Sequence, residues 1–299
     1  MSDYLVKSLA FDGQIRAYAV DATETVSKAQ QLHDTWSAAS AALGRSLIGT
    51  LLLSSASLQG DEKMTVKING NGPVGGIVVD GNANGTVKGY VQHPHIHLPL
   101  NDKNKIDVRG AVGTDGFLAV TKDLGLKEPF TGQVPLVSGE LGEDFTYYLA
   151  KSEQIPSSVG LSVFVNNDNT IKTAGGFMLQ VMPGAKDEVL DQVEKRLNEI
   201  PMVSEMMNAG KKPEDILNEI LGAENVKILD KMDVSYYCDC SRERFWNVLK
   251  TLPVDQLKEM ADEDHGAEAV CHFCGKKYHF SEKELNDIIT KKQAKKDKK

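Results

Sequence analysis

The sequence predicts an α+β fold: an N-terminal mixed sheet-and-helix domain, a helical linker and a small C-terminal zinc-binding domain. Three observations carry this. Helix-like and strand-like segments are segregated along the chain rather than alternating, which favours α+β over a doubly wound sheet. At 299 residues the chain exceeds one compact core of typical size. All four cysteines fall within the 37 residues from Cys238 to Cys274, and the first 237 residues contain none.

Residues 25–58 are rich in alanine and leucine and read as one or two helices ending at Gly60. Residues 64–69 alternate, placing Met64, Val66 and Ile68 on one strand face. Turns at 70–76 and 80–85 separate it from strands at 76–80 and 86–91, a meander of short strands. Met182, Pro183 and Gly184 close the domain. Beyond them Val189, Val193 and Leu197 recur at helical spacing opposite a charged face, and Pro201 ends that helix. Met202, Met206 and Met207 follow. A further helix starts at Pro213, carries Ile216, Leu217, Ile220 and Leu221, and stops at Gly222. Helices this short are marginal in isolation. Ser241 is placed to cap a helix bearing Phe245 and Leu249, residues 253–262 form another, and Ser281 with Glu284 has capping-box spacing. The domains are therefore expected at 1–182 (α+β core), 183–230 (metastable helical linker), 231–290 (zinc and redox-switch domain) and 291–299 (lysine-rich disordered tail).

Composition narrows the function. Apolar content of 41% and charged content of 25% are those of a soluble globular protein. A net charge of −8 argues against a basic nucleic-acid binder. The imbalance is uneven: residues 291–299 carry six lysines and one aspartate, leaving the rest near −8 − 5 = −13. No export signal opens the chain, and the most apolar run, residues 47–58, is too short to span a bilayer, so a cytoplasmic location with reduced thiols is expected.

Against that background the cysteines stand out. Cys238-Asp-Cys240, then thirty residues, then Cys271-His-Phe-Cys274 supplies four soft sulfur ligands in two close pairs, enough to complete a tetrahedron around one zinc ion. His265, His272 and His279 lie nearby, but four sulfurs already fill four positions. His93, His95 and His97 alternate, yet Pro94 interrupts them and no further ligand is evident, which disfavours a second metal. Gly70, Gly72 and Gly75 match a nucleotide-loop pattern literally, but a strand rather than a helix follows, so they read as a hairpin turn. Most four-cysteine zinc sites only hold a small domain together, and two features lean towards a switchable one instead. Cys240 precedes a helix N-terminus, where thiolates are stabilised and reactive. The domain's thin core relies on metal binding, which contributes about 10–16 kcal/mol in zinc-finger peptides. Oxidation then leaves three pairings open. Crossed bonds would keep the intervening segment closed, whereas neighbour bonds would tie nothing together and turn metal loss into unfolding.

These cysteine motifs, with Glu268-Ala-Val-Cys-His-Phe-Cys274, resemble the redox-regulated heat-shock protein 33 chaperones. The resemblance extends through Ser40-Ala-Ala-Leu-Gly-Arg45, Gly72-Pro-Val-Gly75, Thr131-Gly-Gln133, Ser138-Gly-Glu-Leu-Gly142, Ser152-Glu-Gln-Ile-Pro-Ser157 and Ala174-Gly-Gly-Phe177. It covers nearly the whole chain, with His93, His95 and His97 standing apart. It implies an ATP-independent holdase, not an enzyme, that binds unfolding proteins under oxidative and heat stress. It further implies one Zn2+ on Cys238, Cys240, Cys271 and Cys274 in the reduced, inactive form. Oxidation then releases zinc, forms Cys238–Cys240 and Cys271–Cys274 disulfides, unfolds the linker and yields active homodimers, with no nucleic-acid or membrane partner. In that scheme a folded cysteine domain covers the apolar faces of the linker helices. A nucleic-acid zinc ribbon and a thiol–disulfide oxidoreductase are the competing readings. The first conflicts with the acids around Arg242, Arg244, Lys276 and Lys277, and the second lacks a βαβ scaffold for Cys271 and Cys274.

Overall fold

The computed structural model describes residues 2–296. The chain divides into two compact units, the first ending at Tyr237 and the second beginning at Cys238. The first contains β1 (Tyr4–Ala10), β2 (Ile15–Asp21), α1 (Thr23–His33), α2 (Ser37–Ser57), β3 (Lys63–Asn71), β4 (Ile77–Asn82), β5 (Thr86–Val91) and α3 (Val108–Val112). It continues with β6 (Gly113–Asp123), β7 (Phe130–Pro135), α4 (Gly142–Tyr148), β8 (Ser157–Val165) and β9 (Ile171–Val181). Helices α5 (Asp187–Glu199), α6 (Val203–Asn208) and α7 (Pro213–Leu221) lead to β10 (Val226–Asp233) and β11 (Ser235–Tyr236).

The strands form a five-stranded antiparallel sheet, β10-β1-β2-β9-β8, and a six-stranded sheet, β11-β5-β4-β3-β6-β7, whose only parallel pair is β11 with β5. Helix α2 packs against both sheets. Its flanks explain its composition: nearly every residue from Ala38 to Ser55 is buried, so polarity is supplied by hydroxyls that bond back into the helix. Ser46 Oγ donates to Ala42 O at 2.8 Å and Thr50 Oγ1 to Ser46 O at 2.8 Å. The expected face of Met64, Val66 and Ile68 joins this core, while Lys63 and Lys67 of the same strand are exposed. The glycine turn after β3 is likewise a hairpin. Gly72 and Val74 donate their N–H groups to Val112 O and Ala111 O at 2.9 and 3.1 Å, so these amides are not free to cradle a phosphate.

The second face of the five-stranded sheet is covered by α5–α7. Strand alternation separates the two cores: Tyr18 and Val20 face α2, whereas Ala17 and Ala19 face the linker helices. Val193, Val203, Met206, Met207, Ile216, Leu217, Ile220 and Leu221 pack with Val6, Ile15, Phe177 and Leu179. The apolar stripe expected to lie under the cysteine domain is therefore covered by the N-terminal sheet. Gly175 in β9 permits that approach, since a Cβ there would sit 2.5 Å from Met207 Sδ; Gly176 serves the opposite face, where a Cβ would sit 2.9 Å from Ile48 of α2. The segment is also not helical to residue 230. Residues 226–233 form edge strand β10 because β1 takes them as a partner on the side that β2 leaves open, Tyr4 opposite Asp233 through Ala10 opposite Val226.

A polar contact pins α7 to these strands. Tyr4 in β1 donates from its hydroxyl to Glu214 Oε2 at 2.8 Å, Lys231 in β10 pairs with the same carboxylate, and the Lys231 ammonium lies 5.5 Å from the centre of the Tyr4 ring. Burial works to raise the Glu214 pKa, but the hydrogen bonds from Lys231 and Tyr4 outweigh it and hold the carboxyl below its usual value. A depressed carboxyl contributes stability above its unfolded-state pKa and loses it as pH falls through the folded value. Amide protection in α7 is thus expected to drop on acidification below about pH 4, the ordinary carboxylate range, and Glu214→Gln is expected to flatten that drop. Hydrogen exchange across pH 3–6 checks both.

The second unit contains α8 (Arg242–Leu249), α9 (Val254–Asp262), the hairpin β12 (Gly266–Val270) and β13 (Lys277–Ser281), and α10 (Glu282–Lys296). Its core is small: Leu249, Leu257, Ala261, Tyr278, Phe280, Leu285, Ile288 and Ile289. The capping box forms at the start of α10, with Ser281 N donating to Glu284 Oε2 at 2.9 Å. Started there and anchored by Ile288 and Ile289, the helix runs through Lys296, into the tail expected to be disordered. Residues 297–299 of that tail lie outside the described residues.

Candidate metal centre

Cys238 and Cys240 sit on the short segment entering α8. Ser241 caps that helix, its Oγ accepting from Arg244 N at 3.2 Å, so Cys240 lies just before the helix N-terminus as its sequence suggests. Cys271 and Cys274 sit on the turn joining β12 to β13. That turn is closed by backbone bonds, Gly275 N to Cys271 O at 2.8 Å and Cys271 N to Lys276 O at 3.0 Å. Gly275 takes a left-handed φ of 70°, which lets the chain reverse immediately after Cys274.

The two pairs converge. All four sulfurs lie within 4.8 Å of one another, with Cys238 and Cys271 Sγ atoms 3.7 Å apart and those of Cys240 and Cys274 3.4 Å apart. Sulfurs at about 2.3 Å from a tetrahedral zinc would be separated by about 3.8 Å, so the donor set fits such an ion in both chemistry and spacing. Cys271 is buried and the other three are half-buried. Burial pushes the Cys238 and Cys274 thiols up. At Cys240 burial is again the largest influence, but hydrogen bonds from Tyr278 and the neighbouring thiols outweigh it and bring the thiol down. A bound dication would ionise all four outright.

Among the described residues no histidine joins this cluster. His265 faces Glu282 at 3.5 Å and His279 faces Glu268 at 3.4 Å. His93, His95 and His97 form no metal group with other described residues; instead their segment straps the start of α2. Trp36 N and Ala38 N donate to Pro94 O and Ile96 O, while His95 bonds Asp34 at 3.1 Å and His97 bonds Ser37 at 2.8 Å. The strap supplies acceptors at the start of a helix that has no side-chain cap.

Three of the four bases that a nucleic-acid reading would use are committed to acids, Arg242 to Glu284 at 2.8 Å, Arg244 to Asp239 at 3.3 Å and Lys277 to Glu268 at 3.0 Å, and the Lys276 ammonium lies 5.4 Å from the centre of the Tyr278 ring. Cys271 and Cys274 lie on a β-hairpin turn, not on the βαβ scaffold of an oxidoreductase. One feature of the site lies beyond the sequence reading: Tyr278, whose hydroxyl touches Cys240 Sγ at 3.2 Å. Its position four residues after Cys274, on the same face of β13 as buried Phe280, was the available signal.

Comparison with known proteins agrees with this arrangement. A family model described as Hsp33 protein matches residues 3–281. A 33 kDa chaperonin of Levilactobacillus brevis is 66% identical over 295 residues, covering 99% of this chain and 100% of that protein. The 33 kDa chaperonin of Enterococcus faecalis is 58% identical over 288 residues, 96% of each chain. The crystal structure of the 33 kDa chaperonin (heat shock protein 33 homolog) of Thermotoga maritima superposes with a TM-score of 0.91 at 39% identity, covering 98% of this chain and 100% of that one. With one fold, one family model and such identities running almost end to end, this chain belongs to the Hsp33 family of chaperones.

Proposed function

We propose that the protein is a redox-regulated, ATP-independent holdase whose four cysteines hold one zinc ion in the reduced, inactive state. The observation that carries this reading is the four-sulfur cluster at the start of a unit whose core is too thin to stand without it. Cys238 directly follows Tyr237, whose backbone N–H is tied into the first unit through Val87 O at 3.0 Å. Metal ties residues 238–240 to the β12–β13 turn, and bound zinc supplies this clamp and nothing else.

Oxidation removes it. Each neighbouring pair, Cys238 with Cys240 and Cys271 with Cys274, gives two electrons to one peroxide; an S–S bond forms, the O–O bond breaks, and both oxygens leave as water once protons are supplied. Two small disulfide rings then leave residues 241–270 unrestrained. Crossed pairs would keep that segment closed. Freed chain frays back through β11 and the largely exposed edge strand β10. Helices α5–α7 hold few turns of their own and stay folded chiefly by packing on the sheet. Their loss would uncover Met206, Met207 and the facing Phe177 and Leu179, a polarisable apolar surface able to bind many unfolded clients. The activated form is a homodimer on this reading.

The test follows zinc, aggregation and mass together. Reduced protein is expected to contain one zinc and to leave a heat-labile client unprotected. Peroxide is expected to release the zinc, confer protection without ATP and double the mass in sedimentation. Equal protection by the reduced, zinc-loaded protein would defeat the switch.

A further inference from the structure

The hydroxyl of Tyr278 makes both of its hydrogen-bonding contacts to a single cysteine. It lies 3.2 Å from Cys240 Sγ and donates to Cys240 O at 3.0 Å. None of the other three cysteines has a comparable side-chain hydroxyl donor among the described contacts; Cys238 and Cys274 accept backbone N–H bonds from Cys240 and Lys276, and the sulfurs otherwise meet one another, Cys238 with Cys271 and Cys274 with Cys240. The ring is fixed for this task. Tyr278 is buried, it is held in β13 opposite Ala269, its ring centre is 5.1 Å from that of Phe245, and the Lys276 ammonium lies 5.4 Å from its centre.

We propose that Tyr278 is a positioning residue for the sulfur centre, sharing its one hydroxyl hydrogen between Cys240 O and Cys240 Sγ and making that sulfur the least reactive of the four. This rests on the reading of the cluster as a zinc site. A thiolate carries no hydrogen, so when Cys240 is a metal ligand the phenol is the donor in this contact. Hydrogen bonds to charged acceptors are the strong ones, and outer partners orient and tune metal ligands. The bond draws electron density from the Cys240 lone pairs, the electrons an oxidant must take. The same hydroxyl, shared with Cys240 O, fixes the sulfur's direction immediately before α8. Attack is thereby directed to sulfurs without such a side-chain donor, a correction to the reactivity that the place of Cys240 before α8 suggests, and Cys240 gives way once the neighbouring ligands have gone.

Tyr278→Phe removes the hydroxyl and keeps the ring, whereas Phe245→Leu loosens the ring and keeps the hydroxyl. Both are compared with the unaltered full chain in the reduced, zinc-loaded state. Zinc affinity is measured by chelator competition. Site-resolved alkylation by iodoacetamide, in which a sulfur lone pair forms the S–C bond as iodide leaves, is followed by mass spectrometry. Tyr278→Phe is expected to weaken zinc binding about 10-fold or more and to speed alkylation of Cys240 relative to the other three cysteines; Phe245→Leu is expected to do neither. An unchanged Cys240 ratio in Tyr278→Phe, an equal acceleration at all four sulfurs, or the same selective change in Phe245→Leu overturns the proposal. Zinc analysis of the unaltered chain separates the two claims. A chain that holds no zinc defeats the functional reading and this role together, while a zinc-loaded chain with an unmoved ratio defeats only the role of Tyr278.

Discussion

Cys271→Ser is expected to unfold the second unit while leaving the first intact. Cys271 is the most buried of the four sulfurs, and its turn supplies both ligands from the hairpin side. The eight buried residues of the unit's hydrophobic core include one alanine and no tryptophan. A core in this size range rarely supplies more than about 3–5 kcal/mol, against about 10–16 kcal/mol from structural zinc. Removing one thiolate of four therefore removes the larger contribution. Amide spectra of the variant should lose the dispersed signals of residues 241–290 and keep those of the two large sheets. Chelation of the unaltered protein should reproduce this pattern, and a variant that retained a folded second unit without metal would show that the core suffices.

Leu217→Ala is expected to activate the protein without oxidation. Leu217 in α7 is fully buried against the five-stranded sheet, within a core that includes Val6, Ala17 and Phe177. Truncating a buried leucine costs about 2–5 kcal/mol, which is large for short helices that owe their order to this face. The zinc cluster lies in the other unit, so its metal content should be unchanged. Suppression of client aggregation by reduced, zinc-loaded Leu217→Ala, compared with the unaltered chain, measures the effect. The outcome separates clamp from working surface: activity with zinc still bound would locate inhibition in the seating of α5–α7. A variant as inactive as the parent, with α7 shown by hydrogen exchange to be released, would mean that the linker face is not what clients bind.

Much of the site was legible in the sequence because ligand chemistry is written in residue type and spacing. Four cysteines in two close pairs mark a candidate donor set, Ser241 marks the cap beside it, and the structure brings the four sulfurs within 4.8 Å, close enough to hold one metal ion. Helices with a clear apolar stripe and a Pro or Gly boundary, α5 and α7, were readable for the same local reasons. What covers that stripe was not, because a stripe records that a face is buried and not which partner buries it. Its partner, the β1–β2–β9 face, joins residues at opposite ends of the first unit. Strand β10 was missed because an edge strand has an irregular burial pattern, and its order depends on pairing with β1. Tyr278 is not legible as a site residue because burial and ligand support look alike in one dimension; only the 3.2 Å contact with Cys240 separates them.

The central claim is that the sulfur centre controls whether α5–α7 remain seated on the sheet. Hydrogen exchange of these helices in the reduced, zinc-loaded protein and after peroxide treatment tests it most directly. The expected result is protection of Val193, Met206, Met207, Ile216, Leu217 and Ile220 amides before oxidation and its loss afterwards, in step with zinc release, while α2 stays protected throughout. Unchanged protection of α5–α7 in fully oxidised, zinc-free protein would contradict the account.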